Sequence, residues 1–250
     1  MYSYEDGGAF RGAIQSWKRQ GHGRMQWQNG DRYEGQWKDD APHGQGLFQY
    51  AMEACTYGGL FQGGKRHGHG KLVFDDGREY DGMWQNDEAN GPGRMTYKNG
   101  NWYVGDWVKG NRQGQGRFSF RCGSVYEGEF DNGYPSGQGI FISASGVQYD
   151  GMFDRWLRHG PGILTLPDDG FVEGVWENDI LVEITDVAIP SVPDDVNADN
   201  EELELEKAME ISARLDFLPG RRGHSSTLLC FTFTAYDEMD EFGSPINSTR

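Results

Sequence analysis

The stretch Tyr126-Glu-Gly-Glu-Phe-Asp-Asn-Gly-Tyr-Pro-Ser-Gly-Gln-Gly-Ile-Phe-Ile142 decides the fold. Tyr126, Gly128 and Phe130 fall on every second residue, and so do Gly137, Gly139 and Phe141. Between them stand mostly polar side chains. That spacing is the period of a strand with one apolar and one wet face, not of a helix. The stretch therefore reads as two short strands that pair as a hairpin.

Outward from it the pattern repeats. Anchors at Phe10, Tyr33, Tyr57, Tyr80, Tyr103, Tyr126, Tyr149 and Val172 are 23 residues apart, with one spacing of 24. Taking each anchor as position 0, position 2 is glycine from Gly12 to Gly174. Position 4 is large and apolar: Ile14, Trp37, Phe61, Trp84, Trp107, Phe130, Phe153 and Trp176. Positions 11 and 13 form Gly-x-Gly, from Gly21 and Gly23 to Gly160 and Gly162. Position 15 carries Met25, Phe48, Leu72, Met95, Phe118, Phe141 and Leu164. Position 17 carries Trp27, Tyr50, Phe74, Tyr97, Phe120, Ser143 and Leu166.

The chain thus holds seven full repeats and the first strand of an eighth, a repeat array over 10–182. An uninterrupted hairpin would set positions that sum to seventeen opposite each other. Position 4 would then face the glycine at 13, and the glycine at 2 would face position 15. The glycines of these columns, 22 of the chain's 38, are thereby explained as packing partners of bulky side chains, rather than as hinges. Between repeats, Asn29-Gly30, Asp76-Gly77 and Asn99-Gly100 are tight-turn sequences, for loops of two or three residues. Met52-Glu53-Ala54-Cys55 and Pro167-Asp168-Asp169-Gly170 depart from them, and a local bend is expected there. The expectation is all-β: an elongated single-layer antiparallel meander of about fifteen strands, with nearest-neighbour energetics.

Composition agrees. Aromatic residues make up 14% of the chain, which disordered sequences do not support. No apolar run is long enough for a membrane-spanning helix, and the first residues lack the basic and apolar segments of a secretory signal. A net charge of −16 argues against nucleic acid and anionic membranes as partners. Cys55, Cys122 and Cys230 are odd in number and widely spaced, which suggests free thiols in a reducing compartment.

Tyr33-Glu-Gly-Gln-Trp-Lys-Asp with His43-Gly-Gln-Gly, and Tyr126-Glu-Gly-Glu-Phe with Gly137-Gln-Gly, resemble MORN repeats (membrane occupation and recognition nexus). The resemblance covers about residues 10–180. It implies stacked hairpins that form a groove-bearing, rod-like sheet and act as a scaffold. Some members of the family hold a partner helix in the groove. The layout is similar to small sperm and axonemal members, implying a cytoplasmic protein of the cytoskeleton, in a cilium or flagellum. The family is also linked to phosphoinositides. The repeats are acidic overall, however, and lack the polybasic patch that anionic headgroups need, with Lys65-Arg66 and Arg155 with Arg158 as local exceptions.

After the array the composition changes. Residues 183–199, with Pro190 and Pro193, read as a linker. Residues 200–218 are helical in pattern, with Leu205, Ala208, Met209, Ser212 and Leu215 on one face, closed by Pro219-Gly220. The stretch 228–236 is β-prone, and the rest of 219–250 reads as a partly disordered tail. Most of the acidity belongs to residues 183–250, whose net charge is −10.

No catalytic constellation is present: no phosphate-binding loop, nucleophile elbow, HExxH or kinase signature. The expected function is non-enzymatic, with no cofactor. His67-Gly-His69 could set two imidazoles on one side of a strand as metal ligands do, or could pack within the repeat; no carboxylate or cysteine set accompanies it, so no metal is expected. The aromatic columns remain. A single-layer sheet leaves one apolar face uncovered, and exposed apolar area of that extent marks an interaction site. The expected partner-binding groove is Tyr33, Trp37, Tyr57, Phe61, Tyr80, Trp84, Tyr103, Trp107, Tyr126, Phe130, Tyr149 and Phe153, centred on the middle repeats. Its expected occupant is a helix or extended segment of a protein partner, within a larger complex. The alternative is a peripheral lipid adaptor.

Overall fold

The computed structural model describes residues 2–3 and 7–188. The helix expected at 200–218, the tail 219–250 and most of the linker lie outside the described residues. The described chain is all-β and antiparallel, and no helix occurs in it. It divides into two compact units, one ending at Asn111 and one beginning at Arg112.

The first unit holds β1 (Tyr2–Ser3), β2 (Ala9–Gln15), β3 (Lys18–Gln26), β4 (Arg32–Lys38), β5 (Ala41–Tyr50), β6 (Cys55–Gln62), β7 (Lys65–Phe74), β8 (Glu79–Gln85), β9 (Glu88–Thr96) and β10 (Trp102–Val108). The second holds β11 (Asn111–Ser119), β12 (Val125–Asp131), β13 (Tyr134–Ile142), β14 (Gln148–Asp154), β15 (Leu157–Thr165), β16 (Phe171–Glu177) and β17 (Ile180–Ala188). Within each unit every strand pairs with its neighbours in the chain, as a meander should.

The register differs from the sequence expectation. In the second repeat Tyr33 faces Phe48 and Gly35 faces Gly46, after which the ladder shifts to Trp37 opposite Pro42. The single residue Gln36 therefore opposes His43, Gly44 and Gln45. Shifts at the same place recur in β6–β7, β8–β9, β12–β13 and β14–β15. Position 4 does not face the glycine at 13, and position 2 does not face position 15. The reason is that the hairpin is not one continuous ladder. A two-residue turn with positive φ at both positions, Asp39 (50°) and Asp40 (69°), sets the register at its tip. The bulge then inserts two extra residues. The glycine at position 11 lies in that bulge, and its φ is positive in all seven repeats, from Gly21 (67°) to Gly160 (84°).

Glycines at 2 and 13 face each other, and the space they leave is filled by the tyrosine of their own repeat. A Cβ on Gly46 would lie 2.4 Å from Tyr33 Oη, and one on Gly139 would lie 2.4 Å from Tyr126 Oη. The ring thus lies across both glycines. Its hydroxyl donates to the carbonyl at position 3, which belongs to the bulge residue: Tyr33 to Gln36 at 2.8 Å, Tyr57 to Leu60 at 3.0 Å, Tyr126 to Glu129 at 2.9 Å. The bulge strips that carbonyl of its ladder partner, and the tyrosine restores one.

Between repeats the loops have three residues, except after β5, where Tyr50 pairs with Cys55 and residues 51–54 make a four-residue loop with Ala54 at φ 48°. Trp27 N donates to Asp31 O and Gly30 N to Trp27 O, with Gly30 at φ 92°. In the seventh repeat the loop is Pro167-Asp168-Asp169. Asp169 takes the left-handed position at φ 67°, which aspartate tolerates, so the glycine is free to stand one residue later. The array also runs further than its columns indicate. β17 completes an eighth hairpin, with Leu181 opposite Trp176 and Ile184 opposite Gly174. It has no Gly-x-Gly, so the column search ends before it, and residues 183–188 are strand rather than linker.

Candidate functional site

All twelve residues expected to line a groove lie in the interior, each 5% exposed or less. They interlock edge to face. Tyr33 meets Trp37 at 5.1 Å and Phe61 at 5.2 Å, Tyr80 meets Trp84 at 5.1 Å and Trp107 at 5.2 Å, and Tyr126 meets Phe153 at 5.0 Å. The indoles of Trp37 and Trp84 donate to the carbonyls of Gly23 at 3.1 Å and Gly70 at 3.0 Å. Burial pushes the Tyr33 hydroxyl up to about 12, against a backbone hydrogen bond at His43, and raises Tyr57, Tyr80, Tyr126 and Tyr149 as well. These rings are core: the two glycines beneath each tyrosine let it sink into the sheet, so little of it is left to present.

A second set braces this core with a two-repeat period. Position 9 is arginine in alternate repeats: Arg19, Arg66, Arg112 and Arg158. Arg66 is buried, stacks 4.2 Å over the Trp84 ring, and holds the next turn through Asp87 Oδ1 (Nε, 3.2 Å) and Asp87 O (Nη2, 2.7 Å). Arg158 repeats this with Asp179, and Arg19 with Asp40. At the fourth such turn Arg112 bonds the carbonyl of Gly133. The signal was available in the sequence as arginine and aspartate alternating with a period of two repeats, which a one-repeat alignment averages away.

What the aromatic face presents in the first unit is Trp27, Tyr50 and Tyr97 at position 17, with Phe48 at position 15. Trp27, Phe48 and Tyr50 are half-buried. Trp27 stacks on Phe48 at 5.3 Å and Phe48 on Tyr50 at 4.2 Å, so three rings form a short exposed ladder. In the second unit the equivalent surface is closed. Trp156, a turn residue at φ 73°, is 1% exposed and packs against Phe118 (5.4 Å), Phe120 (5.4 Å) and Tyr126 (5.7 Å). It reaches over the fifth and sixth repeats from the turn of the seventh. The matching turn residue for Trp27 and Tyr33 is Gly64, which has no side chain to lay over them.

The other candidates are resolved by geometry. His69 Nε2 lies 3.1 Å from Asp81 Oδ1 on the exposed face. Among the described residues no group of three His, Cys, Asp or Glu side chains is placed to hold a metal. Cys55 and Cys122 are free thiols, and burial, followed by the Glu53 charge, pushes Cys55 up to about 12. No described helix is long and apolar enough to cross a membrane.

A family model described as MORN repeat matches residues 18–32, 33–53, 57–77, 80–102, 103–125, 126–148 and 149–171. No curated protein matches the chain. Among solved structures the chain is similar to the TCP10 domain of Danio rerio CPAP in complex with a peptide of Danio rerio STIL, at 12% identity and TM-score 0.42, over 72% of this chain and 83% of that one. It is similar also to the SAS-4 (dCPAP) TCP domain of Drosophila melanogaster in complex with a proline-rich motif of Ana2 (dSTIL), at 15% identity and TM-score 0.40, over 66% and 94%.

Proposed function

The chain belongs to the MORN-repeat family, and from that premise we propose that it is a non-enzymatic scaffold whose first unit binds a segment of a protein partner. The observation that carries this reading is the half-exposed ladder of Trp27, Phe48 and Tyr50 beside the side-chain-free turn at Gly63-Gly64. Stacked aromatic side chains with one face still wet are the residues that dominate binding energy when a partner covers them. The proposed occupant is a helix or extended segment with an apolar face. Its proposed setting is a larger cytoskeletal complex, in the axoneme of a cilium or flagellum, which rests on the kinship with small axonemal scaffolds.

The test is native purification of the protein with its partners, compared with Trp27→Ala/Tyr50→Ala. Both residues are half-buried, so the variant should keep its fold, checked by circular dichroism. Partner recovery should fall at least roughly tenfold, the order expected for two aromatic anchors. Unchanged recovery would contradict the proposal.

A further inference from the structure

On the wet face of the sheet, opposite the aromatic columns, position 14 of one repeat lies opposite position 1 of the next, and at three of these places basic meets acidic. Arg24 pairs with Glu34 at 2.7 Å and Arg117 with Glu127 at 3.6 Å. Lys71 stands opposite Asp81 and pairs with Glu79 at 2.7 Å. At the start of the array, position 1 is Arg11, and it stands directly opposite Arg24. Like charges in facing positions destabilise a sheet, and this is the arginine pair among the facing positions, as Glu173 and Asp186 are an acidic one.

The third member is Arg32, at the strand position next to Glu34 on the same face and opposite Gln26. Among the described residues Arg11 and Arg32 have no ion-pair partner. The three arginines, with Gln26, Gln49 and the 45% exposed Leu47, line a concavity of about 480 Å³. The sequence hides this cluster, because its members lie far apart in the chain and only the register brings them together.

We propose that this concavity is a second binding site, taking an extended acidic segment of a protein partner with carboxylates at alternate residues. Arg24 and Arg32 are diagonal neighbours across β3 and β4, a separation of about 7 Å. Carboxylates two residues apart on an extended chain have nearly the same spacing, about 6.7 Å. Guanidinium forks suit carboxylates in this geometry. Gln26 and Gln49 supply amides for the peptide backbone, and Leu47 an apolar floor. A bilayer surface fits less well, since its plane cannot enter a concavity lined also by Glu34, which a narrow peptide can pass beside. The chain's own sequence has carboxylates at alternate residues in Glu202-Leu-Glu-Leu-Glu206, and a short peptide of that sequence, too short to hold a helix by itself, supplies a probe.

The experiment uses the full chain with Glu202, Glu204 and Glu206 changed to Gln, so that its own segment cannot occupy the site. A labelled peptide of residues 200–208 is titrated in at low salt. Binding is expected, weakening as salt screens it and falling at least fivefold in Arg11→Glu/Arg32→Glu, the loss of two exposed ion pairs. A control peptide with Gln for Glu should not bind. Circular dichroism confirms the fold of the arginine variant, and Arg32→Lys should keep part of the affinity. Absence of binding at low salt, or equal binding by the arginine variant, overturns the proposal. So does arginine-dependent flotation with phosphoinositide vesicles when the peptide does not bind, which would make the cluster a headgroup site.

Discussion

The third and seventh repeats carry the same two-residue turn and use it in opposite ways. In the first unit it is Gly63-Gly64, and the ladder Trp27, Phe48, Tyr50 stays half-exposed. In the second it is Arg155-Trp156, and the indole lies buried over Phe118, Phe120 and Tyr126. The fold beneath is the same in both. Closing the face has costs: a bulky side chain at positive φ, and an indole Nε1 that is buried with no hydrogen-bond partner. Trp17, at the same position of the first repeat, shows the third case. Its indole covers no other ring here and is 96% exposed. At these three repeats the residue at one turn position differs with the state of the face: no side chain beside the open ladder, a buried indole over the closed one, and an exposed indole at Trp17.

The largest effect should be one that ignores this difference. In both units the tyrosines on the glycine rows resist ionisation because they are buried. The unfolded chain ionises its tyrosines near pH 10. Stability present below that pH is therefore lost as pH rises towards about 12, the value reached by Tyr33. Strand circular dichroism should collapse cooperatively there, together with the rise in tyrosinate absorbance. Tyrosinate formation near pH 10 with structure retained would break the packing account.

Trp156→Ala should separate the two units. Removing this buried indole should cost about 3–5 kcal/mol in denaturant titrations and expose Phe118 and Phe120. A smaller contrast lies in the arginine braces. Arg66→Ala strips a buried stack and its pair with Asp87, for about 3 kcal/mol, since one partner of a buried pair is removed. Arg19→Ala should cost about 1 kcal/mol, because its Asp40 partner is largely solvated. Equal losses at Arg19 and Arg66 would show that burial does not set their value.

The smallest stability effect and the sharpest functional one belong to Gly64→Trp. A Cβ there would meet only Pro42 and Ala41, at 3.9 and 4.0 Å. Gly64 already has φ 84°, close to that of Trp156. The melting curve should move by no more than about 1 kcal/mol, while partner recovery falls to the level of Trp27→Ala/Tyr50→Ala.

Much of this was legible in the columns. Strand period, repeat length, apolar face and inter-repeat turns all follow from side chains at fixed spacing. Pairing of glycine with bulk was also legible, but its geometry was not. Gly35 makes room for Tyr33 of its own strand rather than for a residue across the hairpin, because the bulge at Gln36 changes the register. Without the bulge, nothing shows that the tyrosines sink out of reach. That is why Tyr80, Trp84 and Trp107 read as a groove, although each is buried. Trp27 and Tyr50 were visible as a column, but the exposure of Trp27 depends on Gly64, a turn residue more than a repeat away. β17 escaped because a strand can complete a hairpin without the glycine signature.

The central claim is that the aromatic face is open at Trp27 and Tyr50 and closed beneath Trp156. Hydroxyl-radical footprinting of the full chain, read by mass spectrometry residue by residue, tests it most directly. Trp27 and Tyr50 should be oxidised readily while Trp156 and Phe120 are protected, and Gly64→Trp should protect Trp27. Protection of Trp27 in the unaltered chain, or oxidation of Trp156 at the same rate, would contradict it.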